Sequence, residues 1–329
     1  VRRRHLLTLP ILAAPGLARA QAFPSRPITL VSGYAPGGST DISARLVGER
    51  MQGFLGAEAR VVVENRPGAA GRVASDWLRR QSADGNILML TESSSHALLP
   101  HAVRRGTPYH PVEDFTQVAM VCTTPYALIT RTDFPARTAQ DMVAQLRTAE
   151  PESLPFATSG VANATHFAAE LLVNQLGRGG RFPNVPYRSG GLMVESIARG
   201  ETAWGTAALA SAAAQITGGR VRGMAVTSAE RSASFPDIPT LAESGVAGFD
   251  LVNWYAIIGP PNMPREVTAR LNRAIRDALA DAQLRDRFRT AALDPWPGDN
   301  TPEAARAYFV AEQGRWRDYV NRTNLRLEE

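Results

Sequence analysis

The chain contains no lysine; all 36 of its basic residues are arginine. Alanine is abundant as well, and a GC-rich codon bias accounts for both. The formal net charge of +5 therefore says little about partners. Four arginines (Arg2, Arg3, Arg4 and Arg19) fall within residues 1–20, which contain no acid. Without them the arginines outnumber the acids by one, and no electrostatic footprint for nucleic acid remains. Cys122 is the single cysteine, which excludes an internal disulfide. It follows the apolar segment Val118–Val121 and reads as a small buried hydrophobe rather than a nucleophile or ligand. Past the N-terminus there is no apolar run of ~18 residues, which excludes a polytopic membrane protein. Histidine is scarce: His5, His96, His101, His110 and His166 share no metal-ligand spacing, so no metal is expected. HExxH, EF-hand, P-loop, GxGxxG and GxSxG patterns are all missing, so no cofactor is expected. No repeat of ~20–50 residues is detectable, which argues against a solenoid.

What is present is an ordinary globular composition, 44% hydrophobic and 20% charged over 329 residues, enough for two domains. Residues 1–20 read as an export signal. A basic start is followed by the apolar stretch Leu6–Leu17 and the A-x-A site Ala18-Arg19-Ala20. Pro10 and Pro15 argue against a buried N-terminal helix. Arg3-Arg4-His5-Leu6-Leu7 fits a twin-arginine pattern loosely and the general secretory route equally. The expected mature chain begins near Gln21 and works in the periplasm.

Strand and helix signals then alternate. Strands are expected at Ile28–Tyr34, Arg60–Glu64 and Asn86–Thr91, with helices at Asp41–Met51 and Arg72–Gln81 between them. This order implies a parallel sheet with right-handed crossovers. The second half repeats the logic. Its strands are expected at Tyr126–Thr130, Leu154–Ala157, Asn184–Tyr187 and Val221–Thr227, with Trp254–Gly259 closing that half. Its helices are expected at Ala139–Thr148, Thr165–Leu176 and Gly190–Arg199. The C-terminal third reads as amphipathic helices over Arg265–Ala280, Asp281–Ala291 and Pro302–Thr323.

Three strand-to-helix loops carry the chemistry. In the first, from Tyr34 to Asp41, Gly37 and Gly38 permit a tight turn and Ser39, Thr40 and Asp41 are capping residues. The first N–H groups of a helix lack internal partners and favour an anion. A plain glycine-rich turn is the alternative. The second loop offers Ser159, Gly160 and Asn163, with His166 just inside the helix. The third is Tyr187-Arg188-Ser189-Gly190. Loops of one construction in two successive α/β halves suggest a ligand held between two lobes, at the carboxyl ends of strands. Ser159, His166 and Asp41 also compose a triad on paper, so a secreted serine hydrolase is a rival reading.

These loops and their surroundings resemble the substrate-binding proteins of tripartite tricarboxylate transporters, the TctC or Bug family. The resemblance is carried in order by Phe23–Ile28, the PGGSTD loop Pro36–Asp41, Glu64–Gly71, Asp84-Gly85, Pro108–Phe115, Val185–Arg188, Ala225–Ser228, Phe235–Thr240, and Trp254 with Gly259–Met263-Pro264. It implies a two-lobed Venus-flytrap fold of the type II periplasmic-binding class, an α/β fold with mixed sheets, flanking helices and two hinge crossings. It implies a monomer that binds a small carboxylate and hands it to membrane transporter subunits, without catalysis. A ligand sensor presenting the same cleft to a signalling receptor is the other alternative. The resemblance carries ligand contacts over to Gly37, Gly38, Ser39, Thr40 and Asp41 and to Ser159, Gly160, Asn163 and His166; the loop construction adds Tyr34, Arg188, Ser189 and Gly190, and Thr206 and Ala207 are expected toward the distal end. This chain departs from the family at Ala162, Asn163, Ala203 and Thr206-Ala207-Ala208. If the last three line the pocket, its distal end is less polar than usual, which favours a ligand with an apolar body. Lobe one is expected over 21–124 and 256–329, and lobe two over 125–255.

Overall fold

The computed structural model of the chain describes residues 23–180 and 182–324. The export signal expected over residues 1–20 lies outside them. The first half alternates as its sequence pattern requires: β1 (Ile28–Ser32), α1 (Ser39–Leu55), β2 (Val61–Asn65), α2 (Arg72–Leu78) and β3 (Ile87–Glu92). β1 pairs in parallel with both β2 and β3, with Leu30 opposite Val63 and Leu88. A π-helical turn (Ser94–Leu98) and the short α3 (Leu99–Ala102) follow directly on β3.

The pivotal element is β4 (Thr116–Arg131), a strand of 16 residues that serves both halves. Up to Pro125 it pairs antiparallel with β9 (Val252–Gly259). From Tyr126 onward its neighbours are β7 (Trp204–Ala208) and β8 (Val221–Val226). Pro125 has no N–H to donate, so it sits well where one ladder ends and the next begins. The sequence reading caught only Tyr126–Thr130 of this strand. β9 also differs from expectation. It lies between β3 and β4 and runs antiparallel to β3, with Met89 opposite Ile258, so it belongs to the first half of the sheet.

The second half continues with α4 (Ala139–Thr148), β5 (Phe156–Thr158), α5 (Ala164–Gln175), β6 (Asn184–Pro186) and α6 (Gly190–Ala198). β5 pairs in parallel with β6 and β7, giving the path β2-β1-β3-β9-β4-β7-β5-β6. α7 (Leu209–Thr217) springs from β7 without an intervening residue. Neither β7 nor α7 was foreseen, because no glycine or proline punctuates Trp204–Ile216 except Gly205 within the strand. The architecture is a two-lobed α/β fold on one curled mixed sheet.

The C-terminal helices α8 (Arg265–Ala280), α9 (Ala282–Thr290) and α10 (Pro302–Thr323) return to the first half, with the two-residue β10 (Asp294–Pro295) pairing on β4. Leu271, Ile275 and Ala278 of α8 share a core with Leu30, Val47 and Met51. Each such fully buried aliphatic side chain contributes ~1.5–3 kcal/mol. α10 reaches both halves: Phe309 packs on Trp254 and Trp316 on Phe167 of α5, with ring centroids 4.9 and 5.4 Å apart. Cys122 is buried as expected, and burial pushes its thiol up to about 12. Among the described residues no helix is long and apolar enough to cross a membrane.

One buried carboxylate anchors α10. Glu312 accepts hydrogen bonds from the indoles of Trp254 (2.8 Å) and Trp316 (3.0 Å), and Arg315 contacts its other oxygen. Glu312→Ala would leave two buried N–H donors without partners, at ~1–3 kcal/mol each. The expected outcome is a destabilisation of about 2–5 kcal/mol in the denaturant midpoint at an unchanged m-value; a loss below ~1 kcal/mol would refute this anchoring role.

Candidate functional site

The first loop is held by its own aspartate. Asp41 Oδ2 accepts from the Gly37 N–H (3.0 Å) and Arg45 Nε (3.0 Å), while Oδ1 accepts from Asn65 Nδ2 (2.9 Å). Asn65 Nδ2 also donates to the Tyr34 carbonyl. Burial alone would raise the Asp41 carboxyl, but Arg45, the Gly37 N–H and Asn65 hold it below its ordinary value. Gly37 has φ +85°, a conformation suited to glycine. The loop is therefore rigid before any ligand arrives, and Asn65, at the end of β2, is part of the brace.

The second loop is similarly self-braced. Asn163 caps α5, its Oδ1 accepting from the His166 N–H at 3.0 Å, and its Nδ2 donates to Ser159 Oγ at 2.7 Å. The Ser159 N–H donates to Thr165 Oγ1. His166 faces away from this serine: its Nδ1 accepts from the Ala162 N–H, and burial pulls the imidazole down to about 4. Ser159, His166 and Asp41 thus do not assemble, since each has other partners.

The two lobes meet across these loops. The Ser39 N–H, first in α1, donates to Ser211 Oγ of α7 at 2.8 Å. The Ala164 N–H, first in α5, donates to Ser94 Oγ, just beyond β3, at 2.9 Å. Each lobe therefore supplies a hydroxyl oxygen to the other lobe's helix N-terminus. Main chain meets main chain alongside: the Ala35 N–H donates to the Arg188 carbonyl at 3.3 Å. A Cβ on Gly191 would lie 2.5 Å from the Gly37 carbonyl oxygen, so only glycine permits this approach.

Between the loops lies a narrow cavity with about 20 Å³ of room for water-sized bodies, roughly one ordered water. Of the residues expected at the ligand, Tyr34, Gly38, Ser39, Thr40, Ser159, Asn163 and Gly190 line it. Ala208, expected at the distal end with Thr206 and Ala207, lines it too; Glu92, Ser94, Tyr126, Thr165, Ser211 and Asn253 also line it, and none of these six was among the expected contacts. Glu92 is 4% exposed. Its Oε1 accepts from Tyr34 Oη (2.8 Å), and its Oε2 from the Ser94 N–H (3.0 Å) and Ser94 Oγ (2.9 Å). Burial raises this carboxyl, and these donors together with the Ser95 N–H only partly offset it.

Several expected residues sit elsewhere. Gly37 and Asp41 face inward to brace the loop. Ser189 caps α6 by accepting from the Leu192 N–H. Gly160 and Arg188 line a wider outer cavity of about 590 Å³, which shares Tyr34 and Ser159 with the inner one and also carries Arg72. Thr206 and Ala207 are not at the cavity. The Thr206 hydroxyl donates to the Thr165 carbonyl, and Ala207 packs in the core with Met193 and Ile197. The distal wall is therefore polar, carrying Glu92, Tyr126 and Asn253, and the expectation of an apolar distal end is corrected. Ser93-Ser94-Ser95, directly after an apolar strand, was the available signal for the missed wall; Ser211 and Asn253 had none.

The family description "Tripartite tricarboxylate transporter family receptor" matches residues 43–325. Protein BugT of Bordetella pertussis (strain Tohama I) is 32% identical over 317 residues, covering 96% of this chain and 94% of the relative. The structure of the periplasmic binding protein BugD is similar with a TM-score of 0.86 and 26% identity, covering 93% of this chain and all of the other. MatC from Rhodopseudomonas palustris with bound malate gives 0.84 and 27%, covering 91% of this chain and all of the other. BugD and MatC share the two-lobed fold described above. The loop signatures, the two-lobed sheet and the family match agree, and the chain belongs to the tripartite tricarboxylate transporter receptor family of periplasmic solute-binding proteins.

Proposed function

We propose that this protein captures a small carboxylate between its lobes in the periplasm and delivers it to the membrane subunits of a tripartite tricarboxylate transporter, without catalysing any reaction. One observation carries the reading. The N-termini of α1 and α5, from opposite lobes, open on one cavity, and the first N–H of each already donates to an oxygen from across the cleft. A carboxylate oxygen placed there exchanges a neutral acceptor for a charged one, and hydrogen bonds to ionised groups are about twice as strong. The malate carried by MatC is a ligand of this class. Arg188 at the outer cavity places a positive charge at the entrance, which draws anions inward.

The proposed lobes are residues 23–124 with 256–329, and residues 125–255. The change of partner along β4 at Pro125–Tyr126 supports the first crossing, and the second runs along the start of β9. Opening would bend these two strands and separate Ser39 from Ser211 and Ala164 from Ser94. Gly38, Ser39, Thr40, Ser159, Asn163 and Gly190 are the proposed ligand contacts, with Asp41 and His166 acting as braces.

Three outcomes test this. A panel of small carboxylates should contain at least one that raises the melting temperature, since a hundredfold excess over Kd stabilises by ~2.7 kcal/mol. Gly191→Val should leave the circular dichroism spectrum intact, abolish that rise, and prevent the ligand-induced decrease in radius of gyration; a variant that binds like the wild type would refute closure across Gly37. Asp41→Ala should weaken binding about tenfold by releasing the loop, which calorimetry reads directly. Because the Asp41 carboxyl lies below its ordinary value of ~3.9, its hold on the loop is complete above that pH and is lost only as pH falls through its lower folded value. Binding that decays between about pH 6 and 5 would therefore point to another group.

A further inference from the structure

Resting on the carboxylate reading above, we propose that Glu92, together with the Tyr126 hydroxyl on the same cavity, forms a subsite for a cationic amine. The cleft then selects a zwitterionic ligand, carboxylate at one end and ammonium at the other, over a dicarboxylate. Glu92 forms no ion pair among the described residues, although it is almost fully buried. A buried carboxylate without a cation is costly. Its hydrogen bonds are specific in number. Of about four acceptor positions on a carboxylate, Oε2 uses two on Ser94 and Oε1 uses one on Tyr34. The Ser95 N–H also favours the ionised carboxyl, and Oε1, which accepts from Tyr34, is the oxygen with room for another donor.

The Tyr126 hydroxyl is the second, independent observation. Tyr126 is 1% exposed and lines the cavity, and its Oη makes no hydrogen bond of good geometry, although the Ser93 side chain lies close enough to influence it. Buried hydroxyls are normally satisfied, so an orphan on a ligand cavity marks a place where ligand atoms are expected. An ammonium group carries three N–H donors and suits this pair: one for Glu92, one for the Tyr126 oxygen. The titratable groups around Glu92 are the phenols of Tyr34, Tyr109, Tyr126 and Tyr255, all raised by burial and therefore neutral. His96, on the adjacent turn, is held neutral by burial at about 3. Among the described residues no cation lines the cavity to offset a second ligand carboxylate, and two carboxylates in contact repel.

Matched trios of rising length test this by titration calorimetry near neutral pH: propionate, β-alanine and malonate; butyrate, 4-aminobutyrate and succinate; hexanoate, 6-aminohexanoate and adipate. In the trio that fits, the amino acid should bind the wild type at least about tenfold more tightly than the diacid. Glu92→Gln should erase that preference, weakening the amino acid about tenfold and leaving the diacid unchanged or tighter. Should that variant not fold, Tyr126→Phe with the wild-type trio ratios still decides, because the amino acid alone should lose affinity. A diacid that binds the wild type as tightly as its amino-acid partner overturns this subsite while the carboxylate reading stands. So does a diacid whose affinity rises about tenfold per unit of falling pH, since a proton would then be replacing the amine. If no member of any trio binds, the carboxylate reading falls and the subsite with it.

Discussion

The N-terminus of an α-helix has N–H groups that its own backbone cannot satisfy, and this structure turns on where two such groups are answered. The first N–H of α1 finds its oxygen on Ser211, and the first N–H of α5 finds its oxygen on Ser94. Neither acceptor belongs to the same lobe as its donor. Two strong local requirements thus become one long-range constraint that draws the halves together. The same contacts place the cavity, because both helices start at the carboxyl ends of β1 and β5, where open α/β sheets leave a crevice.

Closure of that kind needs backbone to approach backbone, and the glycines supply it. Gly38 and Gly191 lie where a Cβ would press on the opposite lobe, and Gly190 lies where it would press on Ser211, the acceptor of the Ser39 N–H. The loops that carry them are nonetheless stiff. Asp41 fixes Gly37 and reaches Asn65 on the neighbouring strand, while Asn163 fixes Ser159. In the proposed opening, donors braced on their own loops and joined by β4 and β9 would keep the shape of each cleft face while the separation changes. β4 suits the hinge role because it changes ladder partners at Pro125.

Much of this was legible from residue order. Strict alternation of short apolar runs with capped helices fixed β1 to β3, α1, α4, α5, α6 and the C-terminal helices to within a few residues. Both loops at the cavity were readable because glycine and capping residues have local causes. The misreadings share a different cause. β4 is longer than its apolar punctuation suggests, because a tertiary ladder carries it through Thr123-Thr124-Pro125. β9 was placed in the wrong half, since strand pairing between distant segments leaves no local trace. Thr206 and Ala207 are taken up by a backbone carbonyl of α5 and by the core, because they lie within β7 on opposite faces of the sheet and only Ala208, at its end, reaches the cavity. Glu92, Tyr126, Ser211 and Asn253 come from four separate segments, and only the fold brings them to one wall.

The hydroxyls of Ser94 and Ser211 also set a threshold for what can bind. A ligand must displace or outbid two neutral hydrogen bonds, each worth ~0.5–1.5 kcal/mol net. A neutral carbonyl oxygen offers the same strength, so the exchange gains almost nothing against the loss of ligand freedom on binding. An ionised oxygen offers ~1.5–3 kcal/mol per bond and gains at both helix ends. Selection for an anion therefore needs no arginine in the inner cavity, and none lines it among the described residues. Arg188 lies at the outer cavity, where its charge would steer an anion toward the proposed site. With the positive end of the cavity built from dipoles and no full cation there, the single carboxyl on its wall is that of Glu92, which burial raises toward its neutral form. Its effect on what may occupy the other end is correspondingly large, because nothing inside the cavity is placed to cancel it.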